Sequence, residues 1–182
     1  MELVNLVRAA IFCAMAIAVG YSLMLVPNIE LITVTIFLSG LTLNPFWGAL
    51  VGLVSMGIYS GLNPLGSGLS FPPLFFAQVI SMSLCGMIGG LLKPLLFTKH
   101  YNISRLAFIA FVGFLVTLIY DVLTLISYPI FSGLGVAGIY ASLIKGLGFT
   151  LLHELSNAFI FMLTVPRAVS YTHLTLPTNR EV

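Results

Sequence analysis

Four titratable residues stand in stretches that are otherwise apolar: Asp121, Lys145, His153 and Glu154. Gln78 and Asn157 are their neutral companions. His153-Glu154 begins like the H-E-x-x-H signature, where two histidines one helical turn apart hold zinc and the glutamate activates water. Here the fifth position is Asn157, and no other His or Cys cluster supplies the missing ligand. No nucleophile–base pair stands out, and there is no G-x-x-x-x-G-K-[ST] loop to cradle a nucleotide. Cys13 and Cys85 lie in apolar runs with no metal-ligand spacing and read as small apolar residues. No catalytic residue, metal ligand or bound cofactor is assigned.

Binding is the chemistry these residues suit better. A charge at the centre of a bilayer costs about 2.5–3.5 kcal/mol on insertion scales, so each one needs a partner or a purpose. Counted from the helix ends, Asp121, Lys145, Gln78 and Tyr59 share one depth, in the outer third of a membrane. Such a layer fits an outward-facing small-molecule pocket. It equally fits an Asp121–Lys145 ion pair holding two helices together, and the two readings are compatible. At about 100° per residue, Ser142, Lys145, His153, Ser156 and Asn157 fall within an arc of about 120°. Thr150 and Glu154 lie at its edge, so this face must turn to the bundle interior or to a partner. For His153 the simplest expectation is a hydrogen-bonded interior histidine.

The elements that must position these groups follow from composition. The chain has 182 residues, 59% hydrophobic and only 7% charged, with a mean hydropathy of +1.13. Soluble domains carry about 25% charged residues, so a soluble enzyme and a disordered chain are both excluded. A net charge of +2 is too small to suggest nucleic-acid binding. Six apolar segments run over 7–26, 30–43, 46–62, 72–92, 105–127 and 139–165. The second is short and is bracketed by Pro27-Asn28 and Asn44-Pro45. No segment alternates with period two, which argues against a β-barrel. The fold expected is an all-α integral membrane protein, a bundle of six transmembrane helices. Arg8, Lys93, Lys99, Arg105 and Arg167 fall on one side of it, while the loops 27–30, 63–72 and 128–138 carry no Lys or Arg. The positive-inside rule then makes the bundle N-in and C-in.

Two further features stand out. Ala10, Ala14 and Ala18 repeat every four residues on the first helix, a smooth ridge another helix can approach closely. Gly48 and Gly52, then Gly86 and Gly90, repeat the pattern on the third and fourth. The ridges serve tight internal packing, and the first serves equally well for docking a membrane partner. After Ala168 the composition changes to the Thr-rich run Val169-Ser170-Tyr171-Thr172-His173-Leu174-Thr175-Leu176-Pro177-Thr178. That run resembles the translation of a sequencing-library adapter. The expected organisation is one transmembrane domain over 1–168, with 169–182 an artefact or a disordered tail.

Several stretches together resemble a family. Pro27-Asn28-Ile29-Glu30-Leu31-Ile32-Thr33-Val34-Thr35-Ile36-Phe37-Leu38-Ser39-Gly40 is similar to the first loop and second helix of S components of energy-coupling factor (ECF) transporters. Asn44-Pro45-Phe46-Trp47-Gly48-Ala49-Leu50-Val51-Gly52, the Pro72-Pro73 start of the fourth span and Gly86…Gly89-Gly90 fit as well. Leu152-His153-Glu154-Leu155-Ser156-Asn157-Ala158 resembles the His…Asn stretch of the sixth helix. The match runs over nearly all of 8–168. The resemblance implies a six-helix subunit of the bacterial plasma membrane that captures a vitamin or related micronutrient from outside. It implies docking on a T component with two ABC-type ATPases, which alone use ATP. Ala10, Ala14 and Ala18 match the family's docking motif in position and spacing. By depth and helix, Asn28, Gln78, Asp121, Tyr128 and Lys145 are the candidates to line the pocket. The competing reading is a six-helix scaffold of cell-envelope machinery, which would leave the polar layer without a purpose.

Overall fold

The computed structural model describes residues 2–98 and 100–175. Lys99 and residues 176–182 of the expected tail lie outside the described residues. Among the described residues the chain forms seven α-helices, a 3-10 turn at Gly68–Ser70 and no strand. The helices are α1 (Glu2–Leu23), α2 (Ile32–Thr42), α3 (Pro45–Gly61), α4 (Pro72–Leu91), α5 (Lys93–Leu96), α6 (Ile103–Phe131) and α7 (Gly135–Thr175).

Their boundaries have local causes. The Asn44 side chain accepts from Trp47 N at 3.0 Å and caps α3, with Pro45 in the first turn where its missing N–H costs nothing. Asn102 caps α6 in the same way, accepting from Arg105 N at 3.0 Å. Gly133 and Gly135 take positive φ in the tight turn between α6 and α7. The last helix does not stop at Ala168. It continues to Thr175, with Val169 fully buried and Thr172 Oγ1 donating to Ala168 O at 2.7 Å. No proline or glycine occurs between Ala168 and Thr175 to end it.

α1, α4, α6 and α7 are each long and apolar enough to cross a membrane, the mark of a multi-pass membrane protein. Their outer faces carry large exposed apolar side chains such as Ile11, Phe76, Phe111 and Phe159, which suit contact with lipid and not with water. Of the six spans expected, these are four. α3 has 17 residues, and α2 has only 11. At 1.5 Å per residue α2 is about 16 Å long, half the roughly 30 Å of a hydrocarbon core.

α2 is nonetheless the centre of the bundle. It packs on α1, α3, α4 and α7, and nine of its eleven residues are buried. Glycines make this possible. A Cβ on Gly40 of α2 would fall on the Gly86 carbonyl of α4, and one on Gly86 would fall on the Gly48 carbonyl of α3. Gly52, Gly89 and Gly90 meet facing backbone in the same way. The three backbones touch directly, which is how helices associate in lipid. Phe37 of α2 and Phe161 of α7, both fully buried, meet at 5.0 Å between ring centroids and tie the last helix to this seam. Lys93 closes the far end of α2, its Nζ donating to Thr42 O at 2.9 Å and Leu43 O at 3.3 Å. A cation there also complements the helix dipole.

Candidate ligand-binding site

A half-length central helix inside a ring of longer ones leaves the other half of the interior unfilled. The space beyond the N-terminus of α2 is a cavity of about 610 Å³, lined by α1, the α1–α2 loop, α2, α3, α4, α6 and α7. Its residues sit towards one end of every helix: Gly20 to Met24 in α1 and the following loop, Met56 and Tyr59 in α3, Gln78 in α4, Asp121 to Leu125 in α6, Gly146 to His153 in α7. Arg8, Lys93, Arg105 and Arg167 sit towards the opposite end. A smaller cavity of about 260 Å³ adjoins it beneath the 3-10 turn, sharing Met56, Tyr59, Leu74 and Gln78.

The polar groups form two sets that meet where the Tyr120 and His153 rings touch. His153 Nδ1 lies 3.0 and 3.2 Å from the two Asp121 carboxylate oxygens. The tautomer decides the roles, and Nδ1 is the donor when the carboxylate is ionised. His153 Nε2 faces Glu30 Oε1 at 3.7 Å, an ion-pair distance too long for a hydrogen bond. Glu30 is held from two sides. Thr33 N donates to its Oε2 at 2.9 Å, making Glu30 a cap on the first turn of α2, and Asn157 Nδ2 donates to its Oε1 at 3.0 Å. The Tyr120 ring stands edge-on to His153 at 6.1 Å, and its hydroxyl accepts from Gln78 Nε2 at 3.2 Å. Gln78 Oε1 in turn accepts from Ser60 Oγ at 2.5 Å. Methionines 24, 56 and 82, Tyr59 and Phe149 complete an apolar frame around these groups.

Three of the five expected pocket residues come together here: Asn28, Gln78 and Asp121 all line the cavity. Asn28 does so from the loop with φ of +59°, a left-handed conformation Asn tolerates better than most residues. The other two stand elsewhere. Tyr128 is exposed on α6 and packs on Phe71 at 5.8 Å. Lys145 is exposed on α7 and lines neither cavity. No Asp121–Lys145 ion pair forms, because His153 takes the carboxylate instead. Counting depth along a helix fixes height but not azimuth, and Lys145 shares the height of the site while facing away from it. The inward stripe of α7 runs through Thr150, His153, Asn157 and Phe161.

The residue the sequence reading did not select is Glu30. Its signal was present: a lone acid in a loop that must return to membrane depth, with no basic residue nearby to pair with. Among the described residues no group of three or more His, Cys, Asp or Glu is arranged to hold a metal ion. The alanine ridge lies on the outward face of α1. Ala10, Ala14 and Ala18 are exposed, whereas Ala9, Ala16 and Gly20 are the buried positions of the same helix. No protein-family model, curated protein or solved structure matches the chain.

Proposed function

We propose that this chain is the substrate-capture S component of an ECF-type, ATP-driven importer in a bacterial plasma membrane. In this reading α1, α2, α3, α4, α6 and α7 are its six membrane segments, α2 being a half-span. The observation that carries the reading is the cavity. It lies at the depth of Asp121, towards the ends of α1, α6 and α7 opposite Arg8, Arg105 and Arg167, and has polar groups on one wall. A capture subunit needs such an outward pocket, and the positive-inside rule orients it. A scaffold protein would have no use for a cluster of ionisable groups at membrane depth, where each is costly. The outward alanine ridge on α1 supports docking on a T component, because small residues facing lipid gain nothing until another helix covers them. The two ATPases supply the energy, and no residue of this chain is assigned a catalytic role.

The test is co-expression with a T component and its two ATPases, followed by affinity purification. The wild-type chain should retain its partners. Ala14→Trp should lose them while keeping the thermal stability of the wild type, since position 14 faces outward. Normal co-purification of Ala14→Trp would remove docking through α1, and failure of the wild type to assemble would remove the importer reading itself.

A further inference from the structure

The charge of the cavity wall specifies a class of ligand that the family resemblance leaves open. We propose that the cavity takes an organic cation with a flat apolar body, an amidinium-like or ammonium group seated on Asp121 in the field of Glu30. The inference rests on the capture reading and gives it a substrate class.

Five ionisable side chains face the cavity: Glu30 from the α1–α2 loop, Tyr59 from α3, Tyr120 and Asp121 from α6 and His153 from α7. The two phenols carry no positive charge in any state, and no Lys or Arg lines the cavity. An imidazolium at His153 supplies at most one positive charge against two carboxylates. The N-terminus of α2 offsets about half a charge more, already directed at Glu30 through Thr33 N. With both carboxylates ionised, the wall is negative in either state of the histidine. An anion placed there would meet like charge.

Hydrogen-bonding capacity points the same way. A carboxylate offers about four acceptor positions. Both oxygens of Asp121 share a single donor, His153 Nδ1. Asp121 thus keeps acceptor positions for a ligand N–H, and a planar amidinium matches a carboxylate with two parallel bonds. Glu30 is better satisfied and serves mainly to set the sign of the field. Around this polar wall Tyr59, Phe149 and the methionines provide ring faces and soft sulfur surfaces suited to a flat cationic body.

Three isosteric probes isolate charge from shape: benzamidine, benzamide and benzoate. Each is added to the purified full chain in detergent at about 10 mM, tenfold above a Kd of about 1 mM. Benzamidine should raise Tm by about 3–6 °C, benzamide less, and benzoate not at all. Asp121→Asn keeps the shape of the wall and should abolish the benzamidine response. Should that variant fail to fold, the wild-type series still decides. Benzoate equal to or better than benzamidine, or no response to any of the three, overturns the proposal. Partner co-purification is scored in parallel. A benzamidine response without ATPase assembly refutes the importer reading and keeps the charge preference. Assembly with a benzoate preference does the reverse.

Discussion

Replacing Gly86 by Ala adds one methyl group at the point where three helix backbones meet. The added Cβ would clash with the Gly48 carbonyl of α3, and Gly40 of α2 already lies against the Gly86 carbonyl. Neither neighbour is a flexible side chain that can rotate away, so α4 must move by about an ångström against both. Overpacking a core with side-chain relief costs about 1–3 kcal/mol. Without that relief the upper end applies, about 3 kcal/mol or more. For a chain of this size, that lowers Tm by about 6–12 °C. The internal control is Gly57→Ala. It sits in α3 with nothing within 4 Å of an added Cβ, and helix propensity predicts a gain of up to about 1 kcal/mol. Thermal unfolding of the two variants in the same detergent, followed by intrinsic fluorescence, measures the contrast. Equal melting of Gly86→Ala and wild type would refute direct backbone contact across the seam, and with it the account of how α2 reaches the centre.

Further outcomes follow from the polar array. Asn157→Leu removes the donor to Glu30 Oε1 and should cost about 1.5–3 kcal/mol, the range for a hydrogen bond to a charged group; an unchanged Tm would mean that Glu30 is held by Thr33 N alone. Lys145→Leu should leave ligand-induced stabilisation intact, since Lys145 lines neither cavity. Loss of that response would return Lys145 to the site.

The all-helical membrane character was legible at once, because 59% hydrophobic and 7% charged residues leave few alternatives. Two helix starts were legible too, from Asn44-Pro45 and Pro72-Pro73, whereas α6 was expected from 105 and its Asn102 cap at the true start was not read. The centrality of α2 was not. Its shortness reads as a defect of a span until the glycines on three helices are seen to face each other, a property of pairing that no single segment contains. Within the site, depth was readable and direction was not. Asp121 and Gln78 fall on the inward faces of α6 and α4, while Tyr128 and Lys145 share their level and point elsewhere. Glu30 escaped notice because a charge in a loop is ordinarily a solvated one. Only the half-length of α2 carries that loop inside the bundle.

The polar wall also bears on which molecules are kept out. A cavity bounded by membrane helices is surrounded by acyl chains, present at far higher concentration than any solute and flexible enough to enter about 610 Å³. A hydrocarbon chain offers neither donor nor acceptor. Entering, it would strip solvation from Asp121, His153 and Gln78 and return nothing, at a cost of roughly 1–3 kcal/mol for each neutral group and more for a charged one. The same polar groups that would hold a ligand thus make the cavity a poor solvent for a lipid tail.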